Sequence, residues 1–209
     1  MTRPNNPYDK KYTEADCYWG TEPSSTCEKV IEFYPPGPGA PPRLLDLGCG
    51  EGRNAIHLAR KGYDVVGLDS SPAGLGKTRT LSEQAGVTVQ TIRDDIVTCE
   101  LASDFDILFS TGTMQYLPLD IREDRFAHFK EHTAGGGIHV ISVLVEKPFI
   151  PRAPDHDPAA RLFLSGELMS YYWDWEILFT GESVFDCTSG GIPHRHCANR
   201  IVARKLTHS

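Results

Sequence analysis

The stretch LLDLGCGEGRN (44–54) constrains this chain more than any other. In it a short apolar run passes straight into a turn with glycine at 48, 50 and 52, and then into a helical pattern. Glycine lets a chain turn sharply and lets a ligand approach the backbone where a Cβ would collide. A glycine turn alone is weak evidence, because tight turns need glycine for purely structural reasons. Its position adds weight, since open α/β sheets bind ligands at the carboxyl ends of their strands. Asp69 ends the next apolar run, DVVGLD (64–69), where a carboxylate can take both hydroxyls of a ribose.

The alternation continues downstream. LLDL (44–47), DVVGLD (64–69), VTVQTI (87–92), FDILFS (105–110) and GIHVISVLV (137–145) read as strands. Helices are expected over 54–62, over 72–84 and from about 119 to 132. Strands and helices at this spacing imply a parallel sheet covered on both faces. The rhythm then breaks at EKPFIPRAPDHDPAARLF (146–163), which is too long for an ordinary connection and reads as an active-site loop. Ser165 is expected to cap a helix through about Tyr172. WEILFT (175–180) and NRIVARKL (199–206) read as strands six and seven, joined by a hairpin-like connection, ESVFDCTSGGIPHRHC. Upstream, a helix from about Ser24 to Phe33 meets the stiff connector PPGPGAPPR (35–43). Residues 1–42 therefore read as an N-terminal flap and 43–209 as the main domain, together one structural unit.

The glycine pattern also selects a ligand. A dinucleotide fingerprint, G-x-G-x-x-G, would need glycine where Arg53 stands. A pyrophosphate favours a helix N-terminus without negative charge, yet Asp46 and Glu51 flank this loop. An acidic loop suits a cation instead. S-adenosylmethionine carries a sulfonium and an ammonium but no phosphate, so the pattern favours this methyl donor, with S-adenosylhomocysteine as product, over NAD. GLGKT (74–78) imitates the end of a P-loop, but its first glycine is replaced by Ser71 and it follows the second strand. Lys77 therefore reads as a solvated helix lysine.

The residues expected around the methyl donor are Asp46, Gly48, Cys49 (through its backbone), Gly50, Arg53, Asp69 and Ser70. Asp95 and Ile96 follow strand three, where an acid can accept from the adenine amine while the apolar neighbour packs the ring. Alternatively Asp95 caps a helix. Ser110 and Thr111 end strand four beside the loop, and Gln115 and Tyr116 face the place where the methyl group points. Tyr8, Tyr12, Tyr18 and Trp19 either close over the methyl donor as a lid, with Trp19 counted among its contacts, or anchor the flap to the domain.

Composition narrows the partners. Lys and Arg number 21 against 28 Asp and Glu, a formal charge of −7, and no basic block appears. This argues against a nucleic-acid binder, which needs a basic face for phosphate. No apolar run approaches the twenty or so residues that span a bilayer. MTRPNNPYDKKY lacks the apolar core of a secretory signal, so a cytoplasmic location is expected. Cys17, Cys27, Cys49, Cys99, Cys187 and Cys197 include no C-x-x-C pair, and neither a disulfide nor a zinc ribbon is expected. His194-Arg195-His196-Cys197 reads as a solvent-facing polar loop or a substrate contact. As a metal set it lacks a second ligand cluster, so no metal is expected.

Together these segments resemble the class I S-adenosylmethionine-dependent methyltransferases and, within them, the tellurite-resistance methyltransferases of the TehB type. The resemblance rests on LLDLGCGEGRNAIHLARKGYDVVGLD, FDILFSTGTMQYL, EHTAGGGIHVI, GELMSYYWDWEIL and IVARK. It implies an α/β, Rossmann-like fold with a seven-stranded, mostly parallel sheet, an antiparallel last strand, and helices on both faces. It also implies methylation of a small, soft acceptor, such as tellurite, selenite or a thiol. The loop glycines and the acids after strands two and three would hold the methyl donor, roles that fall to Gly48, Gly50, Asp69 and Asp95. The resemblance favours the lid for the N-terminal aromatics. One departure concerns the acceptor. Similar members carry a histidine soon after strand six and an N-G-N-R turn, whereas this chain reads FDCTSGGIPHRHC. His194, Arg195 and His196 are therefore the candidate catalytic residues. Arg195 would hold an anion, and either histidine would serve as base for an oxygen or nitrogen acceptor. Rival readings are a small-molecule N- or O-methyltransferase and a non-catalytic S-adenosylmethionine-binding protein. The expected partner is a small-molecule acceptor, with no nucleic acid or membrane, acting as monomer or homodimer.

Overall fold

The computed structural model describes residues 8–14, 16–154, 156–188 and 191–207. Its core is one seven-stranded sheet built from β1 (Arg43–Leu47), β2 (Asp64–Asp69), β3 (Val89–Arg93), β4 (Phe105–Thr111), β5 (Thr133–Val145), β6 (Glu176–Cys187) and β7 (His194–Arg204). The strand order is β3-β2-β1-β4-β5-β7-β6. Only β7 runs against its neighbours. The chain leaves β1 toward β2 and β3 on one side and returns to place β4 on the other. The strand order thus reverses between β1 and β4, and a crevice opens at their carboxyl ends.

The inner strands are apolar on both faces because both faces are covered. On one face, α2 (Thr26–Phe33) and α3 (Arg53–Arg60) set Cys27, Val30, Ala55 and Leu58 against Leu44, Val65, Ile107 and Phe109. On the other, α5 (Arg122–Glu131) sets Phe126 and Phe129 against Leu45, Leu47, Leu108 and Ile141. Leu44 and Leu45 fall in different clusters, as the two-residue period of a strand requires. The helix α4 (Pro72–Gln84) packs along β2 and β3. Ser71 caps it, its Oγ accepting from Gly74 N at 3.0 Å, and Pro72 occupies the first turn. A single turn, α1 (Asp9–Tyr12), lies against α4. No helix among the described residues is long and apolar enough to cross a membrane.

Four expectations need correction. The connection between strands six and seven is largely strand itself, since β6 runs on to Cys187 and β7 begins at His194, paired from Ser183↔Ala198 to Cys187↔His194. β6 is a sheet edge with much of this end exposed, so no continuous apolar run marked it. Ser165 does not cap the next helix. Its hydroxyl engages Lys147 and Glu182, and Gly166 at φ +83° starts the short α6 (Glu167–Ser170). The helix expected from 119 starts at Arg122 instead, a buried side chain held by Leu117 O, Arg161 O and the Glu167 carboxylate. Finally, β5 begins at Thr133, which pairs with Phe105, so the strand includes the AGGG segment.

Candidate active site

The glycine loop folds back over β2, with Gly48 N and Cys49 N donating to Leu68 O at 2.7 and 3.1 Å. Gly48 has φ +78°, and a Cβ there would lie 2.1 Å from Thr113 Oγ1. Only glycine satisfies both the dihedral and the close approach. Gly50 N donates to Asp69 Oδ2 at 2.8 Å, and Ser71 N donates to Asp69 Oδ1 at 2.8 Å. These bonds lock the end of β2 to the loop after β1. Burial pushes the Asp69 carboxyl up, against the main-chain donors of Ser71, Gly50 and Ser70 that hold it down.

Asp46 lies beneath the loop, fully buried. Burial, reinforced by Asp69 and opposed by Arg53, pushes its carboxyl up to about 8. Its Oδ2 has no hydrogen-bond partner among the described residues. Glu51 is compensated differently, accepting from Lys77 Nζ at 2.7 Å and from Tyr18 N at 2.8 Å. Lys77 is therefore not a solvated helix lysine. It ties α4 to the loop and also donates to Asp16 O at 2.8 Å. The loop is consequently less acidic in space than in sequence, because one carboxylate is paired and the other is held protonated.

A cavity of about 630 Å³ opens at the carboxyl ends of β1, β2 and β4, within the range usual for small-ligand sites. Among the expected contacts, Trp19, Gly48, Cys49, Gly50 and Arg53 line it, as do Asp69, Ser70, Asp95, Ile96 and Thr111. Asp95 caps no helix. Its Oδ1 accepts from Val97 N at 3.0 Å to form a turn. The Cys49 thiol is buried, and burial beside Asp46 and Asp69 pushes it well up, so it remains protonated. Three expected contacts lie off the lining. Asp46 sits below it, and Ser110 donates to Leu47 O at 2.9 Å within the sheet. Gln115 donates to Gly112 O at 2.7 Å and faces a second cavity.

The flap lies directly on this machinery. Tyr12 is buried, and its hydroxyl stands 2.9 Å from where a Gly50 Cβ would be. Trp19 Nε1 donates to the Tyr12 hydroxyl at 3.1 Å, and Arg53 Nη1 donates to Trp19 O at 2.7 Å. Asp9 accepts from Ser71 Oγ at 2.5 Å. Tyr8 reaches across the opening, its hydroxyl 2.9 Å from that of Tyr116. Tyr8, Tyr12 and Trp19 thus anchor the segment and line the cavity.

The second cavity, about 570 Å³, is walled by the 146–163 excursion. That excursion is closed at its base, where Phe163 N donates to Leu144 O and Glu146 N to Phe163 O. Tyr8, Tyr116, Leu144 and Asp157 line both cavities, so the two adjoin. Of the three candidate catalytic residues, Arg195 and His196 line the second cavity. His194 lines neither and stands with its Nε2 2.9 Å from His196 Nε2. Sequence reasoning missed Asn54, Ser142 and Arg200, which line the first cavity. Asn54 Nδ2 donates to Thr111 Oγ1 at 3.1 Å. Arg200 pairs in register with Ser142 and donates to Ser183 Oγ at 3.0 Å, while its buried Nε has no partner among the described residues. The signal for Asn54 was its place inside GCGEGRN, whereas Arg200 needed the β5–β7 pairing.

The family model of the tellurite resistance protein TehB matches residues 4–201. Over 145 residues the chain is 33% identical to Hemagglutinin 1 of Eikenella corrodens, covering 69% of this chain and 47% of the relative. A Haemophilus influenzae protein named "Probable S-adenosyl-L-methionine-dependent methyltransferase TehB" is 30% identical over 145 residues, covering 69% of this chain and 50% of the relative. The crystal structure of TehB from Haemophilus influenzae superposes with a TM-score of 0.75 at 25% identity, covering 95% of this chain and 65% of that one. The chain spans about half the length of the curated relatives it matches. It belongs to the TehB family of tellurite resistance proteins, and its fold is that of the Rossmann-like class I methyltransferases.

Proposed function

We propose that this chain is an enzyme that transfers a methyl group from S-adenosylmethionine to a small, soft acceptor, either a chalcogen oxyanion such as tellurite or selenite, or a thiol. The observation that carries this reading is the join at the strand-order reversal, where Asp69 fixes Gly50 inside a cavity that adjoins a second one. Bound there, S-adenosylmethionine supplies an electrophilic methyl group on a sulfonium.

The chain's own residues supply placement and dryness. Asp69, on the cavity wall at the end of β2, takes the ribose hydroxyls, and Asp95 with Ile96 takes the adenine edge and face. Asp46, protonated in the free protein, keeps its partnerless Oδ2 as an acceptor beneath the loop, and a cationic ligand above it would draw that carboxyl toward its charged form. Tyr8, Tyr12 and Trp19 exclude water, which strengthens each polar contact inside. The second cavity takes the acceptor, and Arg195 on its wall attracts an anion. Tyr116 and Asp157 stand where the two cavities meet, so alignment for an in-line displacement falls to them. A soft nucleophile needs little general-base help, which leaves His194 and His196 free of that duty. With an oxygen or nitrogen acceptor, His196 is the base the second cavity offers.

Titration calorimetry with S-adenosylmethionine and S-adenosylhomocysteine tests the methyl-donor site. Asp69→Ala should weaken binding by about 1.5–3 kcal/mol, the worth of hydrogen bonds to a charged group, or roughly 10- to 150-fold. An unchanged affinity removes Asp69 from the site.

A further inference from the structure

We propose that Cys187, His194 and His196 form a binding site for a borderline divalent transition-metal ion, with Zn²⁺ the best match to their chemistry. The inference does not depend on the methyl-transfer reading. It begins with the register of the β6–β7 hairpin, in which Cys187 pairs with His194 and Phe185 with His196. Alternation along a strand puts His194 and His196 on one face and Arg195 on the other, and residues directly opposite share a face. The second ligand cluster that the linear sequence lacks is thus supplied across the hairpin by Cys187.

The ligand atoms converge. One from each residue lies within 4.8 Å of the other two, and the two imidazole Nε2 atoms are 2.9 Å apart. The rings stand nearly perpendicular, at 87°. A tetrahedral zinc ion with bonds of about 2.0–2.1 Å to nitrogen and about 2.3 Å to sulfur sets ligand separations of roughly 3.4–3.6 Å. The set has to close by about an ångström to reach that spacing.

The tautomer is also set. His194 Nδ1 lies 2.7 Å from Ile192 O. A carbonyl oxygen only accepts, so Nδ1 carries the proton and Nε2 presents its lone pair toward His196. Zinc-ligating histidines are oriented by this kind of backbone contact. On loading, His196 moves its proton from Nε2 to Nδ1, and the Cys187 thiol gives one proton to solvent. The ion thus gains two neutral nitrogens and a thiolate, and one proton is released per ion bound. Two imidazoles and one thiolate suit zinc rather than magnesium or calcium, which take oxygen. Three protein ligands leave the fourth position for water or an anion, and all three residues are partly exposed, so the ion has access. His196 also lines the second cavity, which puts the ion at that cavity's edge.

The test uses the purified full chain, stripped with a chelator and titrated with Zn²⁺ and with Co²⁺ as a spectroscopic substitute. The expected result is one ion per chain, one proton released, and a sulfur-to-cobalt charge-transfer band. Cys187→Ser should abolish that band, and His196→Ala should weaken Zn²⁺ binding tenfold or more. Cys17→Ser should leave both unchanged. The melting temperature of each variant in chelator should match that of the parent, which shows that the fold is intact. No stoichiometric uptake, or uptake without the charge-transfer band in the parent chain, overturns the proposal without recourse to any variant. Affinity unchanged in both Cys187→Ser and His196→Ala overturns it as well.

Discussion

Two buried carboxyls at the cavity, Asp69 on its wall and Asp46 below it, behave differently because their partners differ. Asp69 takes main-chain N–H groups on both oxygens, whereas Asp46 Oδ2 has none. An unfolded aspartate titrates near 3.9, and folding pushes Asp46 up to about 8. A carboxyl raised on folding contributes stability that is fully present below about pH 4 and is lost as pH rises through 8. The free protein should therefore lose stability across that window, with a slope from this group of up to about 1.4 kcal/mol per pH unit. Asp46→Asn should flatten the slope, as urea unfolding midpoints between pH 5 and 8 would show. An equal slope in both proteins would refute the assignment. Legibility at this scale divides by how local each constraint is. Gly48, Gly50 and Asp69 were readable because strand ends and a glycine turn fix their positions through the backbone alone. Ser110 and Thr111 were not separable, since consecutive strand residues face opposite ways and only Thr111 meets the cavity.

At the scale of elements, the β5 and α6 region is held by a buried polar network. His139 Nδ1 lies 2.8 Å from the Tyr172 hydroxyl and its Nε2 lies 2.8 Å from Thr133 Oγ1, with the Trp175 ring alongside. Burial, with Lys130 and Lys205 nearby, lowers His139 to about 3, so the ring is neutral at physiological pH. Tyr172→Phe leaves one ring nitrogen without its partner in the core and should cost about 1–3 kcal/mol, measured by urea unfolding at pH 7. No loss would mean that the hydroxyl contributes nothing. β2 and α4 were legible to the residue because their apolar pattern and Ser71-Pro72 start are local signals. The β6–β7 hairpin was expected, but the extension of its strands to Cys187 and His194 was not legible, because an edge strand carries no two-sided apolar run. Arg200 and Cys187 acquire their roles only through cross-strand register.

For the molecule as a whole, the strand-order reversal between β1 and β4 makes the crevice, and the flap and the 146–163 excursion line it. The flap covers the glycine loop, and the 146–163 excursion walls the neighbouring space. That arrangement suits two ligands brought together away from water. The most direct measurement is mass spectrometry of S-adenosylhomocysteine formed from S-adenosylmethionine in the presence of tellurite, selenite, thiols or small amines, with headspace analysis for volatile methylated products. Product formation should depend on the acceptor, be greatest with the chalcogen oxyanions or a thiol, and yield a volatile product from the former. Tight binding of S-adenosylmethionine with no S-adenosylhomocysteine formed on any acceptor would overturn methyl transfer and mark the chain as a binding protein.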